Sequence, residues 1–139
     1  MFNELLNKLK AFNLPPEKYV VVGSGALGVR GLRASKDLDI IVTKDLWDEL
    51  AKINPVTKNE WEINTIVLDK NIEALDPAQS LFGNSKEIPI GEIFREADVI
   101  DGIKYINLKH LKEFKREFGR EKDLKDIELI DNYLSRTDS

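Results

Sequence analysis

One stretch of the chain decides the fold: residues 20–42, which read VVVGSGALGVRGLRASKDLDIIV. A β-branched run ends at Gly23-Ser24, and a second apolar run begins with two acids one residue apart, Asp37 and Asp39. Short apolar runs of this kind predict buried strands, and the glycine-containing segment between them predicts a turn or two of helix. The two predicted strands are Tyr19–Val22 and Leu38–Val42.

The two carboxylates are expected to act together. Side chains alternate along a strand, so Asp37 and Asp39 point to the same side while Leu38 and Ile40 enter the core. Two like charges side by side cost free energy unless something offsets them. Carboxylate oxygens with no thiol or imidazole nearby suit Mg²⁺ or Mn²⁺. The alternative is that one Asp faces water while the other caps a turn.

Gly23-Ser24 is a candidate anion-binding turn. It lies where a strand ends and a helix begins, so backbone N–H groups and a hydroxyl can face a phosphate. Glycine at position 23 lets the backbone approach the ligand closely. A phosphate-binding turn and a carboxylate pair on neighbouring strands together indicate a nucleoside triphosphate, held by its phosphates and its metal.

Composition narrows the class of protein. The chain has 139 residues, a net charge of −4, one His and no Cys. The absence of Cys excludes disulfides, thiolate metal sites and a Cys nucleophile. The acidic balance argues against a protein that mainly coats nucleic acid. No apolar run approaches the length of a membrane span, so we expect a cytoplasmic protein with no membrane partner.

The remaining pattern predicts one α/β (α+β) domain over residues 1–139, with a small mixed β-sheet flanked by helices. Its predicted parts are an N-terminal support helix (1–14), a core (18–70), a polar loop (69–88), and a C-terminal hairpin with helices (90–135) packed near the site. Within these parts, a third strand is predicted over 61–68, helices over 43–52, 90–97 and 107–118 and from 121, and a hairpin closed at Asp101-Gly102.

The first block of motifs resembles the signature of the nucleotidyltransferase-fold superfamily, the DNA polymerase β-like fold. That signature is an apolar residue, Gly-Ser, a spacer of about a dozen residues, then Asp-apolar-Asp-apolar. In this chain the matching residues are Val22-Gly23-Ser24, a spacer of twelve, and Asp37-Leu38-Asp39-Ile40. The lead-in Arg33-Ala34-Ser35-Lys36 resembles the Arg-x-Ser/Thr-x of small members.

A second block lies near the C-terminus. The run from Lys115 through Arg120-Glu121-Lys122-Asp123 to Asp126-Ile127 resembles the Lys … Arg-x-Lys-Asp-x-x-Asp-Ile segment of the minimal, abortive-infection-type (AbiEii-like) branch. Together with the order of elements between them, the two blocks cover most of the chain.

The resemblance implies a transferase that moves a nucleoside monophosphate from a triphosphate such as ATP to an acceptor hydroxyl on RNA, protein or a small molecule. It implies that Asp37, Asp39 and a third carboxylate on a later strand ligate Mg²⁺ or Mn²⁺ and serve catalysis. Glu62 is the best match for the third position, and Asn64 and Asp69 are the alternatives. Nucleotide-binding positions implied in the same way are Gly23, Ser24, Lys115, Arg120 and Lys122.

Two other interpretations stay open. The resemblance also fits a catalytically weak binding partner of a cognate toxin or antitoxin, in a toxin–antitoxin or phage-defence setting. Separately, residues 23–28 form a G-x-G-x-x-G, which is typical of an NAD-type dinucleotide-binding turn. Against that, a dinucleotide unit needs its ribose-binding acid at the end of the second strand, and Asp37 and Asp39 stand at its start.

Some side chains have simpler interpretations. His110 is expected at the surface, on the polar side of its helix, and Trp47 and Trp61 are expected to pack. The basic stretch 104–125 carries eight Lys/Arg and four acids, which fits either a solvated helix face or a cationic wall for phosphates. Within it, Arg120, Lys122, Asp123 and Asp126 fit either an ion-pair ladder along one helix or a part of the active site.

Overall fold

A computed structural model describes residues 2–60, 62–77 and 89–137. The helices among them are α1 (Phe2–Ala11), α2 (Ser24–Gly28), α3 (Lys44–Ile53), α4 (Ile90–Arg95), α5 (Leu108–Phe118) and α6 (Glu121–Thr137). The strands are β1 (Tyr19–Val22), β2 (Leu38–Val42), β3 (Thr57–Lys58), β4 (Asn64–Asp69), β5 (Ile72–Leu75), β6 (Asp98–Ile100) and β7 (Ile103–Tyr105). None of the helices in these residues is long and apolar enough to cross a membrane.

The strands form a single mixed sheet in the order β3-β4-β5-β2-β1-β7-β6. At its centre, β1 is antiparallel to β2, β2 is parallel to β5, and β1 is parallel to β7. The other neighbours are antiparallel. The α/β (α+β) class and the mixed sheet flanked by helices are therefore confirmed.

The alternation of side chains along the central strands gives the sheet two packed faces. Val21, Leu38 and Ile40 pack on one face with Leu5 and Leu9 of α1 and with Leu46 and Leu50 of α3. Val20, Val22 and Ile41 pack on the other with Leu111 and Phe114 of α5 and Ile130 of α6. Asp39 shares its parity with Ile41, so it faces the side that α5 and α6 cover.

The strongest local patterns fold as predicted. Strands β1 and β2 have the predicted bounds, and both are buried. Asn107 is the N-cap of α5, where its Oδ1 accepts from the His110 backbone N–H at 2.8 Å. The hairpin between β6 and β7 turns at Asp101 and Gly102, both of which have positive φ. The Asp-Gly pair supplies the φ angles that such a tight turn requires.

The predicted start of the third strand is wrong. Strand β4 begins at Asn64, and Glu62 lies before it in a turn with φ of 62°. Asn59 explains the difference, because its carbonyl accepts from the Glu62 N–H and its side chain accepts from the Ile63 N–H, each at 3.1 Å. Such local hydrogen bonds compete with strand pairing. Trp61 lies outside the described residues.

The loop predicted over 69–88 is also wrong in part. Lys70 and Asn71 form a tight turn, and β5 follows, with Ile72 and Ala74 fully buried. This four-residue strand is inserted between β4 and β2. It is stabilised by pairing with β2, which is distant in sequence, and with β4, which lies across the turn. Its own residues have little preference for a strand. Residues 78–88 of the predicted loop lie outside the described residues.

Candidate functional site

A cavity of about 500 Å³ opens on the face of the sheet that α5 covers. Its floor comes from the ends of β1, β2 and β5, and its roof from α5 and the start of α6. The predicted position of the C-terminal helices near the site is thus confirmed. Seven predicted site residues line this cavity: Gly23, Ser24, Asp37, Asp39, Lys115, Arg120 and Lys122.

The glycine turn is shaped by its backbone and by what surrounds it. Gly23 has φ of 66° and ψ of −146°, a conformation that side chains strongly disfavour. A Cβ there would stand 3.5 Å from Asp39 Oδ2, and a Cβ on Gly25 would stand 2.7 Å from Val21 Cγ1. Position 23 therefore favours glycine for its backbone conformation rather than for lack of space, whereas Gly25 lets α2 pack on the sheet.

The two serines link this turn to Asp37. Ser24 Oγ lies 3.0 Å from Ser35 Oγ, and Ser35 Oγ donates to the Asp37 carbonyl at 2.8 Å. Because the single proton of Ser35 goes to that carbonyl, Ser24 donates to Ser35. The chain of hydroxyls fixes the segment before β2, so contact between Ser24 and a phosphate would require its hydroxyl to turn away from Ser35.

Four carboxylates line the cavity, the exposed Glu60 and three that lie on its floor. Asp39 of β2 pairs in register with Glu73 of β5, and Asp37 precedes them at the start of β2. Burial and, to a smaller extent, the charges of Glu73 and Asp37 raise the pKa of Asp39 to about 6, while the charge of Lys115 acts to lower it. We call Asp37, Asp39 and Glu73 the carboxylate wall.

The carboxylate wall fits a hard divalent cation. All of its donors are oxygen, and their mutual repulsion raises the Asp39 pKa, so a cation between them would relieve a cost that the fold already bears. An amide at the β4–β5 turn supports one member, because Asn71 lies 3.2 Å from Asp37 Oδ1 in the orientation that donates to it. Among the described residues, the trio whose ligand atoms lie within 4.8 Å of one another is elsewhere, at Glu92, Glu96 and His110.

The opposite side of the cavity is cationic. We call its residues the cationic wall: Arg33, Lys115, Arg120 and Lys122. The Lys115 side chain is only 8% exposed, and its Nζ lies 3.0 Å from Asp126 Oδ2 and 3.5 Å from Asp123 Oδ1. A buried lysine of this kind is retained only where carboxylates compensate its charge.

Asp123 and Asp126 hold the cationic wall from behind. Arg120 Nε lies 2.6 Å from Asp123 Oδ2, and Arg33 Nε lies 2.8 Å from Asp126 Oδ1. Burial acts to raise the pKa of Asp123, but hydrogen bonds from Arg120 and the charge of Lys115 hold it below its ordinary value. The segment is therefore more than a ladder along one helix, because Asp126 joins α6 to α5 and to the segment before β2.

The predicted candidates for a third carboxylate lie away from the cavity lining. The Glu62 side chain is 81% exposed, 3.7 Å from Lys58 Nζ. Asn64 donates to Asp76 Oδ2 at 3.1 Å. Asp69 lies 3.6 Å from Lys8 of α1, on the opposite face of the sheet. Sequence reasoning missed Glu73 and Arg33. The signal for Glu73 was the alternation of buried Ile72 and Ala74 around it, directly after a turn.

Two of the simpler interpretations can be checked. Trp47 packs as expected, with 9% of its surface exposed. The expectation of a surface histidine is wrong, because the His110 side chain is only 13% exposed and lies 4.0 Å from Glu96. The start of α5 packs against the end of α4, so the polar side of this helix is partly covered.

The G-x-G-x-x-G does not lie in the unit that a dinucleotide site needs. That unit joins two parallel strands through a helix, whereas β1 and β2 are antiparallel. Gly25 and Gly28 are explained by packing, since a Cβ on Gly28 would stand 3.0 Å from the Phe2 ring and from Ser35 Cβ.

No family model matches the chain, and no curated protein matches it either.

Proposed function

We propose that the protein is a metal-dependent nucleotidyltransferase, which moves a nucleoside monophosphate from a nucleoside triphosphate to an acceptor hydroxyl. The observation that supports this most is the register of β2 and β5. It brings Glu73 beside Asp39 on one side of a cavity whose other side carries a buried lysine. Anionic and cationic walls that face each other suit a metal–triphosphate complex, which presents both charges.

Asp37, Asp39 and Glu73 are the residues that would hold Mg²⁺ or Mn²⁺. The bound metal would lower the pKa of the acceptor hydroxyl and stabilise the charge on the leaving pyrophosphate. Glu73 would take the third position, for which the resemblance favoured Glu62 over Asn64 and Asp69. It is partly buried, and it neighbours Asp39 in the sheet rather than standing in solvent.

The cationic wall would bind the outer phosphates, together with Ser24 and the N–H groups after Gly23. In the transfer step, the acceptor oxygen forms a bond to the α-phosphorus, and the bond from that phosphorus to the bridging oxygen breaks. Pyrophosphate leaves with the electron pair, and the acceptor proton passes to solvent or to a wall carboxylate. Lys115 and Arg120 would neutralise the charge that grows on the leaving group.

Transfer of label tests the proposal. Each of the four nucleoside triphosphates, labelled with ³²P at the α-phosphate, is incubated with Mg²⁺ and with tRNA, total cell protein or an aminoglycoside. We expect wild type to label one acceptor class. In the Asp37→Ala/Asp39→Ala variant the rate of label transfer should fall at least 1,000-fold, because the groups that hold the charge-stabilising metal are removed.

Asp48→Asn is the matched control, because this exposed acid pairs with Lys44 on α3, on the opposite face of the sheet. Its transfer rate should equal that of wild type. Equal rates in wild type and the double variant would contradict the proposal. If wild type labels none of the acceptors and binds no triphosphate, the interpretation as a toxin–antitoxin binding partner is favoured instead.

A further inference from the structure

A second group of potential metal ligands lies at the junction of α4 and α5. It consists of Glu92 on α4, Glu96 at the end of α4, and His110 in the first turn of α5. The two glutamates are four residues apart, so they share one face of the helix. One ligand atom from each of the three residues lies within 4.8 Å of those from the other two.

The histidine is the unusual member of this group. Its side chain is 13% exposed, and its Nε2 lies 4.0 Å from Glu96 Oε1. Its Nδ1 is buried and has no hydrogen-bond partner among the described residues. Buried polar atoms are rarely left without a partner, so the fold leaves part of the hydrogen-bonding capacity of this ring unused, and Nε2 is the nitrogen located near Glu96.

The backbone around the group is fixed by one residue. The Asn107 side chain donates to the Glu96 carbonyl at 3.2 Å, and it accepts from the His110 backbone N–H at 2.8 Å. One amide thus ties the last turn of α4 to the first turn of α5. The three ligands therefore stand on two helix ends that are already held together.

From these contacts we propose that Glu92, Glu96 and His110 form a second metal site, which takes a borderline first-row dication of the Zn²⁺ type and clamps α4 to α5. Imidazole with carboxylates suits such an ion, whereas Mg²⁺ prefers oxygen alone. Three protein ligands leave a coordination position for water.

The distances require only a small adjustment. Ligand bonds of about 2.0–2.2 Å in a tetrahedral site put neighbouring ligand atoms roughly 3.5 Å apart. We expect rotation of the glutamate side chains to reduce the present spread of up to 4.8 Å, since the Glu96 side chain is 44% exposed.

The site is distinct from the carboxylate wall, so it can be tested with that wall removed. The full-length Asp37→Asn/Asp39→Asn variant is freed of metal with a chelator, and Zn²⁺ or Mg²⁺ is then titrated by calorimetry. We expect one equivalent of Zn²⁺ to bind and to raise the thermal midpoint, and we expect no saturable binding of Mg²⁺.

Single substitutions in the same background locate the ligands. His110→Gln and Glu96→Gln should each weaken Zn²⁺ binding at least tenfold. Glu113→Gln, which alters an exposed acid of α5 paired with Arg116, should leave it unchanged. Glu96 is exposed, so its substitution tests the site even if His110→Gln impairs folding. Co²⁺ bound in place of Zn²⁺ should give a visible absorption band that Glu96→Gln removes.

Two results would overturn the proposal. One is the absence of saturable Zn²⁺ binding in the background variant. The other is binding that stays the same after both His110→Gln and Glu96→Gln, because the ion would then lie elsewhere. Neither result bears on nucleotidyl transfer, which depends on Asp37, Asp39 and Glu73.

Discussion

Two groups of acids flank the same cavity, and they differ in what neutralises them. Asp37, Asp39 and Glu73 form the carboxylate wall, where burial and, after it, like charges raise the pKa of Asp39 to about 6. Asp123 and Asp126 lie behind the cationic wall, where Lys115, Arg33 and Arg120 pair with them at 2.6–3.5 Å. The pKa of Asp123 is held below its ordinary value.

The difference separates a binding surface from a scaffold. The paired acids have their charge satisfied inside the protein, so they orient Lys115 and its neighbours and have little left for a ligand. The wall acids repel one another, and the protein lowers its own stability to keep them together. Such a cost is typical of sites that await a ligand of opposite charge. The same substitution on the two sides should therefore change stability in opposite directions.

The largest effect on stability is expected on the paired side. Asp123→Asn keeps the shape of the side chain but leaves Lys115 and Arg120 without one buried partner, and loss of one partner of a buried pair costs about 3–5 kcal/mol. The folded pKa of Asp123 is lowered, so its contribution is present above the ordinary carboxyl pKa and is lost as the pH falls through the folded value. Urea unfolding of wild type and variant at pH 7 and at pH 3 measures the loss of stability and its dependence on pH.

Asp131→Asn is the control for that experiment, because this half-exposed acid of α6 pairs with Lys112 at the surface. It should leave the unfolding free energy within about 0.5 kcal/mol of wild type. If Asp123→Asn changed the unfolding free energy as little as this control, Asp123 would not stabilise the fold through its pairs with Lys115 and Arg120.

The next effect concerns the third member of the carboxylate wall. Glu73→Gln should lower the rate of nucleotidyl transfer by on the order of 100-fold, since it removes one charge-stabilising group from the reaction centre. Glu62→Gln should leave the rate unchanged, because that side chain stands in solvent 3.7 Å from Lys58. The comparison uses the labelled-triphosphate assay with a saturating acceptor. The reverse order of effects would return the third position to Glu62.

The sequence predicted the parts of this site that depend on local interactions, and it did not predict those that depend on contacts between distant segments. Strands β1 and β2 are runs of β-branched residues bounded by glycine or acids, so local pattern was sufficient for their bounds. Glu73 was missed because β5 has only four residues, including Glu and Ala, and exists through pairing with β2 and β4. Local propensity carries no information about such pairing.

The error at Glu62 has the opposite cause. The apolar and β-branched residues after it favour a strand, and they do form β4 from Asn64 onward. The turn at Asn59 overrides that pattern for the residues before it. Lys115, Arg120 and Lys122 were predicted individually, but Arg33 was not. The contacts of Asp126 with Arg33 and Lys115 join three segments and depend on tertiary packing that spacing within α6 does not reveal.

A smaller effect is expected on the stability of the carboxylate wall. A pKa that moves from about 3.8 to about 6 corresponds to roughly 3 kcal/mol, and we expect about 1–2 kcal/mol because Asp39 lines an open cavity in which water screens part of its charge. The folded pKa is raised, so stability falls as the pH rises from the unfolded to the folded value. Asp39→Asn should therefore be more stable than wild type at pH 8, and equal to it below pH 4.

That measurement is made by urea unfolding without divalent ions, and Mg²⁺ then provides a second comparison. Added Mg²⁺ should stabilise wild type and leave Asp39→Asn unchanged, because the variant lacks a ligand. A variant less stable than wild type at pH 8 would show that Asp39 is compensated in the fold, and the distinction between the two groups of acids would fail.

The smallest effect tests whether burial, rather than a short ion pair, makes the scaffold. Lys18 and Asp45 are as close as Arg120 and Asp123, at 2.6 Å, and the two cations are equally exposed, but the Asp45 side chain is 58% exposed while that of Asp123 is fully buried. Hydrogen bonds from Lys18 and Thr43 lower the pKa of Asp45 to about 2. Since water and salt screen this pair, Asp45→Asn should leave the urea midpoint unchanged in physiological salt. Any contribution of Asp45 to the free energy of unfolding would be present above the ordinary carboxyl pKa and would be lost as the pH falls toward 2, because the folded pKa is lowered. A loss at pH 7 as large as that of Asp123→Asn would mean that proximity alone sets the stability, and that burial of Asp123 behind Lys115 adds nothing.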